Sequence, residues 1–349
     1  MDVTLLPFDQ YGRYQMIADA LDAVRPVLGT QLHVLDVGGL FCTRRGVAML
    51  PAQAFLPNDQ VTVLDQPACN LSGYVQGDGR GLAFGDNSFD FVISCDTLEH
   101  IPAADRAAFW GELLRVARLG VILIAPALSP QSEAAEELVA TFIHTELGEP
   151  QPQLAEHRAY GLPNSQLIAS MLGELGLRHS SFPSGQLHAW VLMMIARHTR
   201  PLHHDADLIE QLDSYYSRFL AANDRCEPAY RRLWLVEKQA QHEWYEAAAA
   251  ALSTTIRETP VSAVSAWPDL VGWQLQIAAL REAAGRSAAQ QARIVALEQE
   301  VAWRAGQVAA LEQCAAWLEQ QAQDAQASLA RVANGRVLRL LRRVTRNEN

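Results

Sequence analysis

In the first hundred residues, carboxylates and glycines recur at the ends of apolar, β-type runs. His33-Val34-Leu35-Asp36-Val37 runs into Gly38-Gly39, and Val61-Thr62-Val63-Leu64 ends in Asp65, with Gln66 beside it. Gly73-Tyr74-Val75-Gln76 is followed by Gly77-Asp78-Gly79. Glycines let a backbone turn sharply and come close to a ligand, and Asp65 is a carboxylate able to accept two hydrogen bonds from a vicinal diol such as a ribose. A fourth run, Phe89 to Ser94, leads into Cys95-Asp96-Thr97-Leu98-Glu99-His100-Ile101-Pro102. Between Pro126 and Pro163 lie His144, Glu146, Glu156 and His157. His100, His144, Glu156 and His157 are the candidates for a general base that takes a proton from a reacting hydroxyl. Each has a structural alternative. His100 could cap the following helix, His144 could pack on its own helix, and Glu156-His157 could pair with Arg158 or a backbone group to hold a lid shut.

The elements that must position these residues follow from the hydrophobic pattern. A helix around Tyr14–Val24 precedes strands at His33–Val37, Val61–Asp65, Gly73–Gln76, Phe89–Ser94 and Gly120–Ala125. A helix at about Ala103–Ala117 separates the last two, and another at Ser165–Leu175 precedes closing strands at Arg178–Pro183 and His188–Ala196. The runs are rich in Val, Ile and Leu with little polar alternation, as in strands buried on both faces of a parallel sheet covered by helices. The expectation is an α/β fold with a doubly wound, mostly parallel seven-stranded sheet. Such a sheet binds ligands outside the carboxyl ends of its strands, where the residues above stand.

In that order and spacing the series resembles the class I S-adenosylmethionine (SAM)-dependent methyltransferases, of the methyltransferase type 11 kind, with their "LDVGxG", "GDxxxLPFxDxSFDxV" and "LEHxP" patterns. The resemblance implies SAM as cofactor. Asp36, Gly38 and Gly39 would lie against its methionine part, Asp65 with Gln66 would hold the ribose, and Asp78 with Gly79 would border the adenine. Asp96, Thr97, Leu98 and His100 would stand near the methyl donor. A plain NAD-binding Rossmann domain fits less well, because the phosphate-cradling GxGxxG is absent. This chain departs from the family in reading Gly38-Gly39-Leu40-Phe41-Cys42 where G-x-G is usual. Leu154-Ala155-Glu156-His157-Arg158-Ala159-Tyr160-Gly161-Leu162-Pro163 and Pro228-Ala229-Tyr230-Arg231 are similar to elements in methyltransferases of bacterial polysaccharide and glycan gene clusters. That narrower resemblance implies O-methylation of a sugar or glycan-linked intermediate. A different class of function is a catalytically degenerate methyltransferase-fold scaffold that assembles a glycan-synthesis complex; the Leu40–Cys42 departure is its support.

At 349 residues the chain is too long for one ordinary core. The reading is a methyltransferase domain over 1–200 with a lid or insertion at 126–163, then a helical extension and linker over 201–284. The extension reads as helices from Asp207 to Ala251 interrupted near Asn223 and Pro228, followed by a linker over Ser253–Trp267. Residues 285–334 form a coiled coil: Ala296-Leu297-Glu298-Gln299 recurs as Ala310-Leu311-Glu312-Gln313, two heptads on. Ile294, Val301 and Val308 fall at a with Leu297, Leu311 and Leu318 at d, Arg304 being the misfit, a pattern that implies a homo-oligomer. The tail, 335–349, sets five arginines against Val337, Leu338, Leu340, Leu341 and Val344, the pattern of a helix on an anionic membrane or in a glycosyltransferase partner's groove.

The formal net charge of -11 argues against nucleic acid as a partner. The five cysteines are scattered without a CxxC pair, so neither zinc nor disulfides are expected. The cluster His198, His203, His204 and Asp205 reads as a solvated domain edge rather than a ligand set. No metal site is expected. No signal peptide or membrane span is read, and the expected setting is the cytoplasm, with a peripheral position at the inner face of the membrane as an option.

Overall fold

The computed structural model describes residues 2–29, 31–43, 45–239, 242–256 and 288–333. It divides into two units, Met1–Arg286 and Ser287–Asn349, treated separately here.

The first unit is built on seven strands: β1 His33–Val37, β2 Gln60–Asp65, β3 Tyr74–Gln76, β4 Phe89–Cys95, β5 Ala117–Pro126, β6 Arg178–Gln186 and β7 Ala229–Glu237. They lie in the order β3-β2-β1-β4-β5-β7-β6. β1 to β5 pair in parallel, and β7 runs antiparallel between β5 and β6. This is the doubly wound, Rossmann-like methyltransferase fold. Chain order reverses between β1 and β4, the switch point at which such sheets open a crevice at their carboxyl edge.

Helices cover both faces. α1 Phe8–Leu28 and α10 His242–Thr255 pack on one face, where Ile17, Leu21 and Val24 meet Trp244, Ala248 and Leu252 over the sheet's Val34, Ile93 and Leu235. α3 Arg106–Val116 and α6 Ser165–Glu174 cover the other with Phe109, Trp110, Leu113 and Leu172. A third core lies beneath the segment after β5. There α4 Pro130–Leu147 and α5 Pro152–Tyr160 pack with α7 Leu187–His198 and α9 Ala206–Tyr215 through Val139, Leu154, Trp190 and Leu212. α8, Arg200–His203, links the last two. Local chemistry sets the ends of the lid helices. The Ser129 hydroxyl accepts from the Ser132 amide at 3.0 Å, Pro130 opens the first turn of α4, and Gly148 closes it at φ 80°.

Three sequence expectations are corrected. The segment His188–Ala196 is helical, part of α7. Its buried positions Leu187, Trp190 and Met193 recur every three residues, and the Gln186 side chain caps the helix by accepting from Ala189 N at 2.8 Å. A short apolar run does not by itself distinguish strand from helix. The closing strand is instead β7, paired on both sides, with Ile122 opposite Leu235 and Phe182 opposite Leu233. The domain boundary at residue 200 therefore falls too early: the sheet is incomplete without 229–237. α10 also runs to Thr255, into the expected linker, whose remainder lies outside the described residues.

In the second unit, α11 spans Ala288–Ala333 without a break, as the heptad pattern predicts. Trp303, Leu311, Trp317 and Leu318 are each more than half exposed on it. The arginine-rich tail lies outside the described residues. No helix among the described residues is long and apolar enough to cross a membrane.

Candidate active site

The carboxyl ends of β1 and β2 meet through backbone hydrogen bonds. Gly38 N–H donates to the Leu64 carbonyl at 2.7 Å, and the Asp65 carboxylate accepts from Leu40 N–H at 3.1 Å and Gln66 N–H at 2.7 Å. Gly38 has φ 83°, and a Cβ there would lie 2.1 Å from the Thr97 hydroxyl; a Cβ on Gly39 would lie 2.0 Å from Asp36 Oδ2. Only glycine fits either position. Asp36 is fully buried, with Oδ2 accepting from the Tyr14 hydroxyl at 2.7 Å and Oδ1 unpartnered. Burial raises its pKa to about 7; the Tyr14 hydrogen bond opposes the rise, and the nearby Asp65 charge adds to it. The departure after Gly39 has a structure of its own. Phe41–Cys42 pairs antiparallel with Ala48–Met49 in a short ribbon, and Leu40, Phe41, Cys42 and Met49 line the cavity described next.

Beside this turn is a cavity of about 730 Å³, whose wall includes Gly38, Arg13, Asp96, Glu99, His100 and His157. Asp96 has φ 46° and is gripped from two directions. Arg231 of β7 donates through Nε at 2.8 Å and Nη2 at 2.7 Å, and Arg13 of α1 forms a second ion pair. Burial works against the Asp96 charge, but the two guanidiniums outweigh it and hold the carboxyl below its usual range. Three residues on, in the 3-10 turn Leu98–His100, Glu99 is fully buried, and apart from its own backbone amide neither carboxylate oxygen has a hydrogen-bond partner among the described residues. Burial first, and the Asp96 charge second, push its pKa well up.

Two imidazoles flank Glu99. His157 of α5 lies with Nε2 4.0 Å from Glu99 Oε1, and His100 Nε2 is also 4.0 Å from that oxygen. The rings are 4.8 Å apart. His157 Nδ1 meets Glu136 of α4 at 2.8 Å, and Glu136 also accepts from the Tyr230 hydroxyl at 2.5 Å. His100 Nδ1 meets Glu156 at 2.7 Å. The carboxylate partners place the ring proton on each Nδ1 and leave the Nε2 lone pairs toward Glu99. Burial, with His157 as the second cause, lowers the His100 pKa and favours its neutral form. Arg106 ties the Leu98–Ile101 turn to the end of α5, donating to Leu98 O at 3.1 Å and to the Gly161 carbonyl.

The sequence candidates divide accordingly. Asp36, Gly38, Gly39, Asp65, Gln66 and Thr97 come together at one turn, and His100, Glu156 and His157 at another. Asp78 is drawn aside: its half-exposed carboxylate pairs with Arg80 at 2.7 Å, and Arg80 reaches on to Asp105. Gly79 packs in the sheet edge, where a Cβ would strike Phe109 and Val37. Asp96, expected beside the cofactor, is an arginine-bound carboxylate. His144 is a correction. It is exposed in the last turn of α4, off the stripe of buried Val139 and Ile143, and is not among the residues lining the cavity. Arg13, Tyr14, Glu99, Glu136 and Arg231 were not singled out as site residues. Arg231 and Tyr230 stand in a flagged segment, Pro228–Arg231, but without the strand assignment nothing placed them here. Neither the cysteines nor the cluster His198, His203, His204 and Asp205 suggests a metal site in the sequence; Glu99, His100 and His157 converge only in the fold.

Residues 48–125 match the family model described as "Methyltransferase domain". Two proteins named "Uncharacterized methyltransferase", from Mycobacterium sp. strains KMS and MCS, are each 33% identical over 116 residues, which is 31% of this chain and 44% of theirs. The chain thus spans less than half the length of these relatives. Among solved structures, it is similar to a magnesium protoporphyrin IX methyltransferase from Synechocystis PCC 6803 with bound SAH (15% identity, TM-score 0.35, covering 65% of this chain and 84% of that one). It is also similar to phosphoethanolamine N-methyltransferase 2 of Haemonchus contortus in complex with S-adenosyl-L-methionine (15%, TM-score 0.38, 64% and 52%). Likeness at that level carries no argument about activity, and the fold rests on the strand order above. The methyltransferase-domain match falls from the ribbon after β1 to the end of β5, the stretch that holds Asp65, Asp78 and Asp96.

Proposed function

We propose that the chain is a SAM-dependent methyltransferase acting on a hydroxyl of a sugar or glycan-linked acceptor. The observation that carries the reading is the glycine-only turn at Gly38-Gly39, set between the half-unpartnered Asp36 carboxylate and Asp65. A Cβ at either glycine would strike Thr97 or Asp36, so the backbone keeps this close turn only as glycine. The buried Asp36 and half-buried Asp65 are the acceptors available to the ammonium and ribose of the cofactor. Bound SAM would supply an electrophilic methyl on a sulfonium. The chain's part is orientation and proton management. Asp65, already held by two backbone amides, keeps lone pairs for a diol. Arg13, with Nε unpartnered, offers a donor to a carboxylate. Neutral His100, oriented by Glu156, can take the acceptor hydroxyl's proton as its oxygen bonds to the methyl carbon. Titration calorimetry with SAM tests the reading. Saturable one-to-one binding, largely lost in Asp65→Ala, is expected; no heat at roughly millimolar ligand overturns it and favours a catalytically degenerate scaffold.

The same proposal includes self-association through α11, supported by the heptad and by the exposed Trp303, Leu311, Trp317 and Leu318. Leu311→Arg with Leu318→Arg in the full chain should lower the mass measured by light scattering, and an unchanged mass counts against it. A peripheral role for the arginine tail belongs to this reading too. Changing Arg339, Arg342 and Arg343 to Glu should abolish binding to anionic liposomes.

A further inference from the structure

We infer that Glu99, His100 and His157 form a binding site for one divalent transition-metal ion, of the zinc or cobalt type, at the wall of the cavity. The methyltransferase reading bears only on what the ion does, not on whether it binds.

The three residues offer one carboxylate oxygen and two imidazole nitrogens, all within 4.8 Å of one another. Glu99 is completely buried, and apart from its own backbone amide neither of its oxygens has a hydrogen-bond partner among the described residues; His157 Nε2 has none among them either. Burying an unpaired carboxyl and an unpaired imidazole nitrogen side by side is costly, and a cation between them removes both costs together. The second observation is independent of the first. Each histidine presents its far nitrogen to a carboxylate, His157 to Glu136 and His100 to Glu156. That carboxylate–histidine arrangement fixes the tautomer and ring orientation of metal-bound histidines. Glu136 is in turn fixed by Tyr230.

The donor set names the ion. Two imidazoles and one carboxylate suit zinc, cobalt or iron(II) rather than magnesium or calcium, which prefer oxygen. Tetrahedral ligands about 2.1 Å from a metal stand about 3.4 Å apart, so the 4.0 Å Glu99–histidine separations need to close by about 0.6 Å and the widest pair, at 4.8 Å, by about 1.4 Å. Three protein ligands leave a coordination position for a cavity molecule, the arrangement of catalytic rather than structural zinc sites. With the ion bound, His100 Nε2 is a ligand and no longer the base of the ion-free site; an acceptor hydroxyl on the ion would have its pKa lowered, and its proton would pass to cavity water.

The test uses the full chain, freed of metal by chelator. Co²⁺ titration should show one equivalent per chain with the visible absorption of a low-coordinate cobalt, displaced by Zn²⁺. Glu99→Gln and His100→Asn should each weaken affinity by at least tenfold, and Glu136→Gln by ten- to hundredfold through its effect on His157. His100 is partly exposed, so its variant keeps the test informative even if a buried substitution disturbs folding. A variant with His198, His203 and His204 all changed to Asn should titrate like the parent. Absence of a stoichiometric site, or a site insensitive to Glu99→Gln and His100→Asn, overturns the inference. SAM titration in chelator separates the two proposals. Metal uptake without SAM binding overturns the cofactor reading alone, and SAM binding without metal uptake overturns this one alone.

Discussion

Two turns beside the cavity are built by different means. At the turn after β1, β1 and β2 deliver Asp36, Gly38, Gly39 and Asp65 at the ends of neighbouring parallel strands. Backbone amides finish the work, and each contact joins residues close to a strand end. At the turn after β4 the groups that hold the carboxylates come from far along the chain. Asp96 is held by an arginine 135 residues later, and Glu136 by a tyrosine 94 residues later. The first turn is a property of the sheet; the second exists only once the lid and β7 have closed on it. The turn after β4 should therefore be the more costly to break and, under the proposed function, the turn after β1 the more sensitive in ligand affinity.

The largest effect is expected at Asp96. Asp96→Asn keeps the shape and tolerates the positive φ, but leaves Arg13 and Arg231 buried without their counter-charge. A loss of about 3–5 kcal/mol in urea unfolding is expected. A loss under about 1 kcal/mol would mean that the two arginines are held by Asp9 instead, and would weaken the contrast drawn above.

Next comes the pH dependence of Asp36, whose folded pKa of about 7 stands above its ordinary 3.8. Between those values the folded state binds the proton and the unfolded state does not. Stability from this group is thus present below about pH 4 and is lost as pH rises toward 7, at up to about 1.4 kcal/mol per unit. Asp224, buried behind the lid with Tyr216, is also raised to about 7 and contributes a slope of the same sign. Asp36→Asn should flatten part of the profile and stabilise the protein at pH 8. If the cofactor reading holds, the same variant should weaken SAM binding, because a deprotonated carboxylate is what a cationic ligand would pair with. Parent affinity should accordingly rise through pH 7. Flattening by Asp224→Asn alone would show that Asp36 is charged throughout.

Gly39→Ala is expected to cost about 1–3 kcal/mol, the penalty of forcing a methyl group onto the Asp36 carboxylate, and at least tenfold in SAM affinity by calorimetry. Wild-type affinity would show that the turn relaxes and does not hold the cofactor. The smallest effect is expected at Arg80, exposed on the rim. Arg80→Ala should leave the thermal midpoint unchanged and alter SAM affinity less than about threefold, since salt-screened surface pairs contribute little. A large loss would place Asp78 and Arg80 together in the adenine site.

Parallel strands buried on both faces write themselves as Val- and Ile-rich runs, and the carboxylates and glycines that follow them mark one edge of the sheet. The five parallel strands could be read on that basis, and Arg178–Pro183 is legible as a closing strand beside them. The apolar run 188–196 and the mixed run 229–237 could not be sorted the same way. A segment packed on the sheet and one inserted into it both need apolar residues, and the antiparallel partner of β5 lies more than a hundred residues away. Misplacing β7 hid Tyr230 and Arg231, and with them the reasons for Asp96 and Glu136. Pattern alone also gave His144 the same standing as His157, since it cannot tell which face of a lid helix turns inward. Residue types and strand ends were settled by the chain itself, because they depend on local pairing and polarity. Which carboxylate stays unpaired, and which histidines converge on it, depended on closing the lid over β4 and β7, an arrangement that only long-range packing supplies.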